Sequence, residues 1–192
     1  MMYASPNLIG QVAAETDGRE TASPTFFPNP VLLDGDLALR FMKLHAALEG
    51  SASRLEKDSR LLSALACFLL RHADMRPPPE PPGRERRAVK LVRGYLEDNL
   101  GENVSLEELS SLAHLSPFHL SRVFKNEVGI PPHAYQTQAR VARAKGLLLR
   151  GWPITRVALE TGFADQSHLA RHFKRLVGVA PGSYARNSKN VR

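Results

Sequence analysis

Cysteine is all but absent from this 192-residue chain. Cys67 stands alone, so an intrachain disulfide framework is excluded and a reducing compartment fits. Its setting, Leu65-Ala66-Cys67-Phe68-Leu69-Leu70, predicts an inert buried thiol. No apolar run approaches the ~18 residues needed to cross a bilayer. Nor does the chain open on a basic segment followed by an apolar core. Neither a membrane partner nor secretion is expected, and the expected location is the cytoplasm. Strand patterning is missing after residue 84. No phosphate-cradling glycine loop or nucleophile elbow is present, so neither an enzyme nor a cofactor is expected.

Acidic residues are scarce in one half only. Residues 1–83 hold 8 Lys/Arg and 10 Asp/Glu, whereas residues 84–192 hold 18 and 9, a local net charge of +9. Charge of that sign, concentrated in one region, favours a polyanionic partner, nucleic acid ahead of an acidic membrane surface.

Residues 1–35 show little periodicity and several turn formers, which predicts loosely ordered chain. Leu37, Phe41, Leu44 and Leu48 recur at helical spacing, and after Gly50-Ser51 so do Leu55, Leu61, Leu62, Leu65, Phe68 and Leu69. Residues 36–75 therefore read as a helical hairpin, expected to bury its apolar face on a partner chain or a missing domain. Residues 76–83 contain Pro77-Pro78-Pro79-Glu80-Pro81-Pro82-Gly83, a stiff extended spacer. A ligand for a proline-recognition module is the minor alternative.

Everything beyond the spacer reads as helix. The first spans 84–99, with Val89, Leu91, Val92, Tyr95 and Leu96 inward. Ser105-Leu106-Glu107-Glu108 is a capping box for the second. Ser116 and Pro117 open the third. A long fourth covers 133–149, Pro153 opens a fifth, and Asp165 caps a sixth.

Within this half one passage occurs twice. PFHLSRVFKNEVGIPPHAY (117–135) returns as QSHLARHFKRLVGVAPGSY (166–184), sharing H-L-x-R-x-F-K-x-x-V-G-x-x-P-x-x-Y. Each copy follows a short amphipathic segment and a tight turn, as in a helix-turn-helix unit. Leu120, Val123, Phe124 and Val128 fall inward in the first copy, and Leu169, Phe173, Leu176 and Val177 in the second. The outer faces carry Phe118, Ser121, Arg122 and Lys125, and Gln166, Ser167, Ala170, Arg171 and Lys174. Arg122 and Arg171 are equivalent. An arginine fork suits the O6/N7 edge of guanine, lysine suits phosphate, and Gln166 suits adenine. Matching outer faces in two copies argue for double-stranded DNA over two solvated surfaces.

These motifs, SLEELSSLAHLSPFHLSRVFKNEVGIPPHAY (105–135) and PITRVALETGFADQSHLARHFKRLVGVAPGSY (153–184), make residues 85–186 resemble the C-terminal DNA-binding domain of the AraC/XylS family of bacterial transcription regulators. The resemblance implies an all-α, homeodomain-like fold: subdomains 84–132 and 150–186 joined by the helix 133–149, preceded by the hairpin. It implies recognition helices 117–127 and 166–176 in successive major grooves, an activator located with the nucleoid when bound, and RNA polymerase as a further partner. His114 stands in the turn where the second copy has Gly162, a place for a left-handed residue.

Only about 35 residues precede the hairpin, too few for the β-rich sensor usual in such regulators, so a small-molecule effector is not expected. Two rival readings remain. His168 and His172 have a metal-compatible spacing, but no third ligand suggests itself, and His119 repeats His168 in the first copy. The other rival is an interaction protein whose residues 36–75 form a homodimer, or a heterodimer with a full-length regulator.

Overall fold

The computed structural model describes residues 5–17, 32–73 and 85–187, and all of the regular structure among them is helical. Three helices precede the basic half: α1 (Pro6–Asp17), α2 (Gly35–Glu49) and α3 (Arg54–His72). The basic half comprises α4 (Glu85–Asp98), α5 (Leu106–Ala113), α6 (Pro117–Val128), α7 (Pro132–Leu149), α8 (Ile154–Glu160), α9 (Gln166–Val177) and α10 (Pro181–Asn187). The expected spacer at 76–83 and the turn-rich residues 18–31 lie outside the described residues. Among the described residues no helix is long and apolar enough to cross a membrane.

Local chemistry fixes the helix starts. Ser105 accepts from the Glu108 N–H while Glu108 reaches back to the Ser105 N–H, a complete capping box. Ser116 accepts from the His119 N–H at 3.2 Å with Pro117 in the first turn, and Asp165 accepts from the His168 N–H at 2.7 Å. Such a cap is worth ~1 kcal/mol. The left-handed residue expected in the first turn is present: His114 caps α5 at φ 51°.

Each repeat then builds its own core. In the first, Val89, Val92 and Leu96 of α4 meet Leu106 and Leu109 of α5 and Leu120, Val123 and Phe124 of α6. In the second, Val141, Ala144 and Leu148 of α7 meet Val157, Phe163, Leu169 and Phe173. The recurring Phe and Tyr of the repeat are a packing pair, edge-on at 5.7 Å for Phe124–Tyr135 and 5.4 Å for Phe173–Tyr184. Helix α7 touches both halves and is their common spine.

Four expectations need correction. Residues 6–17 are helix rather than loose chain, because Leu8, Ile9, Val12 and Ala13 pack on Leu61, Leu65 and Leu69 of α3. Helix α3 of the hairpin docks on this chain's own first subdomain, where Leu55 is fully buried in that core with Leu62 against it, while α2 packs on α3 and leaves Leu39 and Met42 exposed. Leu48, Leu91 and Leu176 are exposed, not inward; Leu91 lies off the stripe of Ala88, Val89, Val92 and Leu96 that faces the core. Cys67 is half-buried at the edge of a cleft rather than sealed in a core.

Candidate nucleic-acid interface

In α9 the sequence separates two faces cleanly. Leu169 and Phe173 are fully buried, and His168 and His172 lie beside them. On the other side Gln166, Ser167, Arg171 and Lys174 are exposed, with Ala170 half-buried between them. The face thus offers an amide, a hydroxyl and two cations to whatever approaches. Its cap at Asp165 and its left-handed stop at Gly178 set its ends, and the core behind it sets its rotation.

The equivalent face of α6 is built alike but is not open. Leu120 and Phe124 anchor it from behind. Of its outer residues only Lys125 is exposed; Ser121 and Arg122 are half-buried and Phe118 is buried. Arg122 lies over the Phe118 ring at 5.8 Å. Helix α3 lies across this face, and a cleft of about 290 Å³ between them is lined by Ser59, Leu62 and Ala66 on one side and Phe118, Ser121 and Arg122 on the other. The nine expected readers therefore gather on two faces, one open and one covered.

What joins the two faces was not legible in the motifs. Arg140 of α7 is buried, 4% exposed, and its guanidinium donates to the Leu100 carbonyl at 2.7 Å and the Glu102 carbonyl at 2.8 Å. It ties the spine to the α4–α5 connection of the first subdomain. Gly162, in the turn of the second, sits directly against the same group. Burial pulls the Arg140 pKa down to about 10, leaving it charged at neutral pH. One signal was available: Gln136, Arg140, Ala144 and Leu148 recur every fourth residue, so two polar side chains share the buried stripe of α7.

A polar seam runs from α3 to α9. Glu56 of α3 is held by Arg60 at 2.7 Å, and His133 of α7 and His168 and His172 of α9 lie within its electrostatic reach. The His168 and His172 rings are 4.8 Å apart and pack on Phe163. Arg175 donates to His172 Nδ1 at 3.0 Å, consistent with a neutral ring. Among the described residues no group of three or more His, Cys, Asp or Glu could hold a metal. Burial drives His133 and His172 down to about 4, and lowers His168 as well. Burial alone would raise the Glu56 carboxyl, but Arg60 outweighs it and holds the group below its ordinary range.

A pH dependence follows. Unfolded histidines take up a proton near 6.5, while these rings resist it until about 4, so the unfolded state binds more protons throughout that interval. Stability is complete above pH 6.5 and declines as pH falls toward 4. Urea midpoints measured from pH 7 to pH 5 are expected to fall, and His133→Gln with His172→Gln is expected to flatten that slope.

Comparison with known proteins agrees with this geometry. Residues 109–187 match the model of a helix-turn-helix domain family. Over 167 residues the chain is 32% identical to YbfI, an uncharacterized HTH-type transcriptional regulator of Bacillus subtilis, covering 85% of this chain. The chain spans only 58% of that relative's length. Among solved structures, the C-terminal domain of AraT, a response regulator from Geobacillus stearothermophilus, is similar at TM-score 0.51 and 31% identity, over 55% of this chain and 88% of that one. The DNA-binding domain of AdpA, a global transcriptional factor solved with a target DNA, is similar at TM-score 0.53 and 26% identity, over 55% and 96%. Two helix-turn-helix units in one register, a matched helix-turn-helix model and near-complete coverage of solved relatives' domains identify residues 109–187 as belonging to an AraC-type helix-turn-helix DNA-binding domain.

Proposed function

We propose that the chain is a sequence-specific DNA-binding transcription regulator whose helices α6 and α9 enter successive major grooves. The observation that carries this reading is the face of α9: Gln166, Ser167, Arg171 and Lys174 stand exposed on a helix whose opposite side is fully buried, and α6 repeats the register. Such a face has the width and donors for a major groove, and the local charge of +9 favours the backbone on either side. The similarity to the AdpA domain solved with DNA supports the same partner.

Arg171→Ala and Arg122→Ala are each expected to cost ~1–3 kcal/mol on the preferred site and to relax base preference at one position. Lys174→Ala and Lys125→Ala are expected to weaken all sequences alike, since a phosphate contact carries no base identity. Selection from random duplexes, followed by affinity on the selected site, reads both effects. Unchanged base preferences in both arginine variants would falsify the assignment of readers.

A further inference from the structure

We propose that the α2–α3 hairpin is an intramolecular cover for the first recognition helix, so that the chain rests with only its second reading face open. The proposal rests on the DNA reading above and adds how that site is controlled. Its basis is the asymmetry between two faces that the repeat makes equivalent. Arg171 and Ser167 on α9 are exposed, whereas their counterparts Arg122 and Phe118 on α6 are half-buried and buried beneath α3. A helix cannot enter a major groove with another helix on the entering face.

The cover is built to be exchanged rather than to seal. Its two ends are held differently. At the start of α3, Leu55 is fully buried in the first core, the Arg54 N–H donates to Asn103 Oδ1 at 3.1 Å, and Asp58 accepts from the Leu106 N–H at 3.3 Å. Beyond that anchor, α3 meets α6 across the cleft of about 290 Å³. Ser59 Oγ and Ser121 Oγ are buried there without a hydrogen-bond partner among the described residues, a mismatch that a well-fitted core avoids. Lys125 stands exposed at the α6 edge of the cleft. The hairpin's Arg40 and Arg71 are themselves paired with Asp34 and Asp36. The cover thus meets α6 largely through apolar side chains and leaves the Ser121 hydroxyl unmatched. A duplex offers phosphates for Lys125 and a groove with acceptors for the Ser121 hydroxyl. DNA and α3 compete for one face, and α3 pivots about its anchored first turn to give way.

The test uses the full chain and footprints each box of a selected duplex separately. In one arm Ala66→Gln, a neutral and larger side chain in the contact, pries α3 from α6, with helicity and melting recorded to show that the fold persists. In the other, Pro131→Cys is bridged to Cys67 by a short bis-maleimide; both residues line the cleft, and neither is a proposed reader. The same protein without the bridge is the control. The expected result is at least a tenfold gain in affinity for the two-box site with Ala66→Gln. The bridged chain is expected to protect only the box read by α9, with at least a tenfold loss against the unbridged control. Equal protection of both boxes by every form, at unchanged affinity, overturns the cover and leaves the DNA reading standing. If no form selects one duplex sequence over another, the DNA reading itself fails.

Discussion

Gly162→Ala is expected to be the most damaging glycine-to-alanine change among the described residues, unfolding the joint between the subdomains and abolishing two-box binding. Two independent costs add there. The backbone sits at φ +76°, in the left-handed region that costs a residue with a Cβ ~1–2 kcal/mol. The Cβ itself would collide with the Leu100 carbonyl oxygen and lie 2.8 Å from an Arg140 guanidinium nitrogen. Neither can yield cheaply: the first is backbone, and the second is a buried cation held by two carbonyls. Pushing Arg140 aside would leave its charge and both acceptors unsatisfied, each a large cost in a dry site. The sum is on the order of 4 kcal/mol or more, at the rare end for one substitution. For a domain of about 100 residues that lowers Tm by roughly 15–25 °C. Gly178→Ala is the control. Its φ is +87° but no atom stands within 4 Å of the added carbon, so only the ~1–2 kcal/mol of backbone strain is expected. Thermal melts of the two variants compare clash plus strain with strain alone. Equal losses would show that the Leu100–Arg140 contact gives way freely.

Insertion of base pairs between the two boxes is expected to be equally decisive on the DNA side. Helix α7 has 18 residues, roughly 27 Å at 1.5 Å per residue, and no proline interrupts its interior. It packs against elements of both subdomains, and Arg140 pins it to the first. Two recognition helices on one face of B-DNA must lie about one turn apart, near 34 Å or 10–10.5 bp. DNA bending absorbs a small mismatch, at a cost of order 1–6 kcal/mol, but not a second turn. At full-chain concentrations that protect both boxes of the selected site, five inserted base pairs put the boxes on opposite faces, and protection of one box is expected to vanish. Ten inserted pairs restore the face but not the reach, so the same loss is expected. Full affinity with the ten-pair insertion would mean flexibly tethered units or two chains sharing the site.

The two subdomains differ at their turns for a reason that only three dimensions supply. His114 and Gly162 occupy equivalent left-handed stops, and in both turns the next residue donates back to the preceding helix, Leu115 to Ser110 at 3.0 Å and Phe163 to Ala158 at 2.9 Å. His114 is exposed, so its side chain projects into solvent. At Gly162 the first subdomain stands in the way. Sequence patterning marks both as turns, but it does not say which of them is also a contact.

That contrast holds across the molecule. The all-helical fold, the helix starts at Ser105, Ser116 and Asp165, the paired Phe and Tyr, and the exposed face of α9 were legible in the chain, because caps and periodicity act over three or four residues, whereas the expectation of an outward Phe118 on α6 was not met. The helix at 6–17 was not, since its apolar residues gain their meaning only against α3. Arg140 reaches across 38 to 40 residues to its carbonyls, and Glu56 faces histidines far along the chain on α7 and α9. Sequence by itself determined that the chain carries two helices in matched register, each after a turn. Tertiary structure alone decided that one face is open and the other covered, because burial depends on which distant helix packs there.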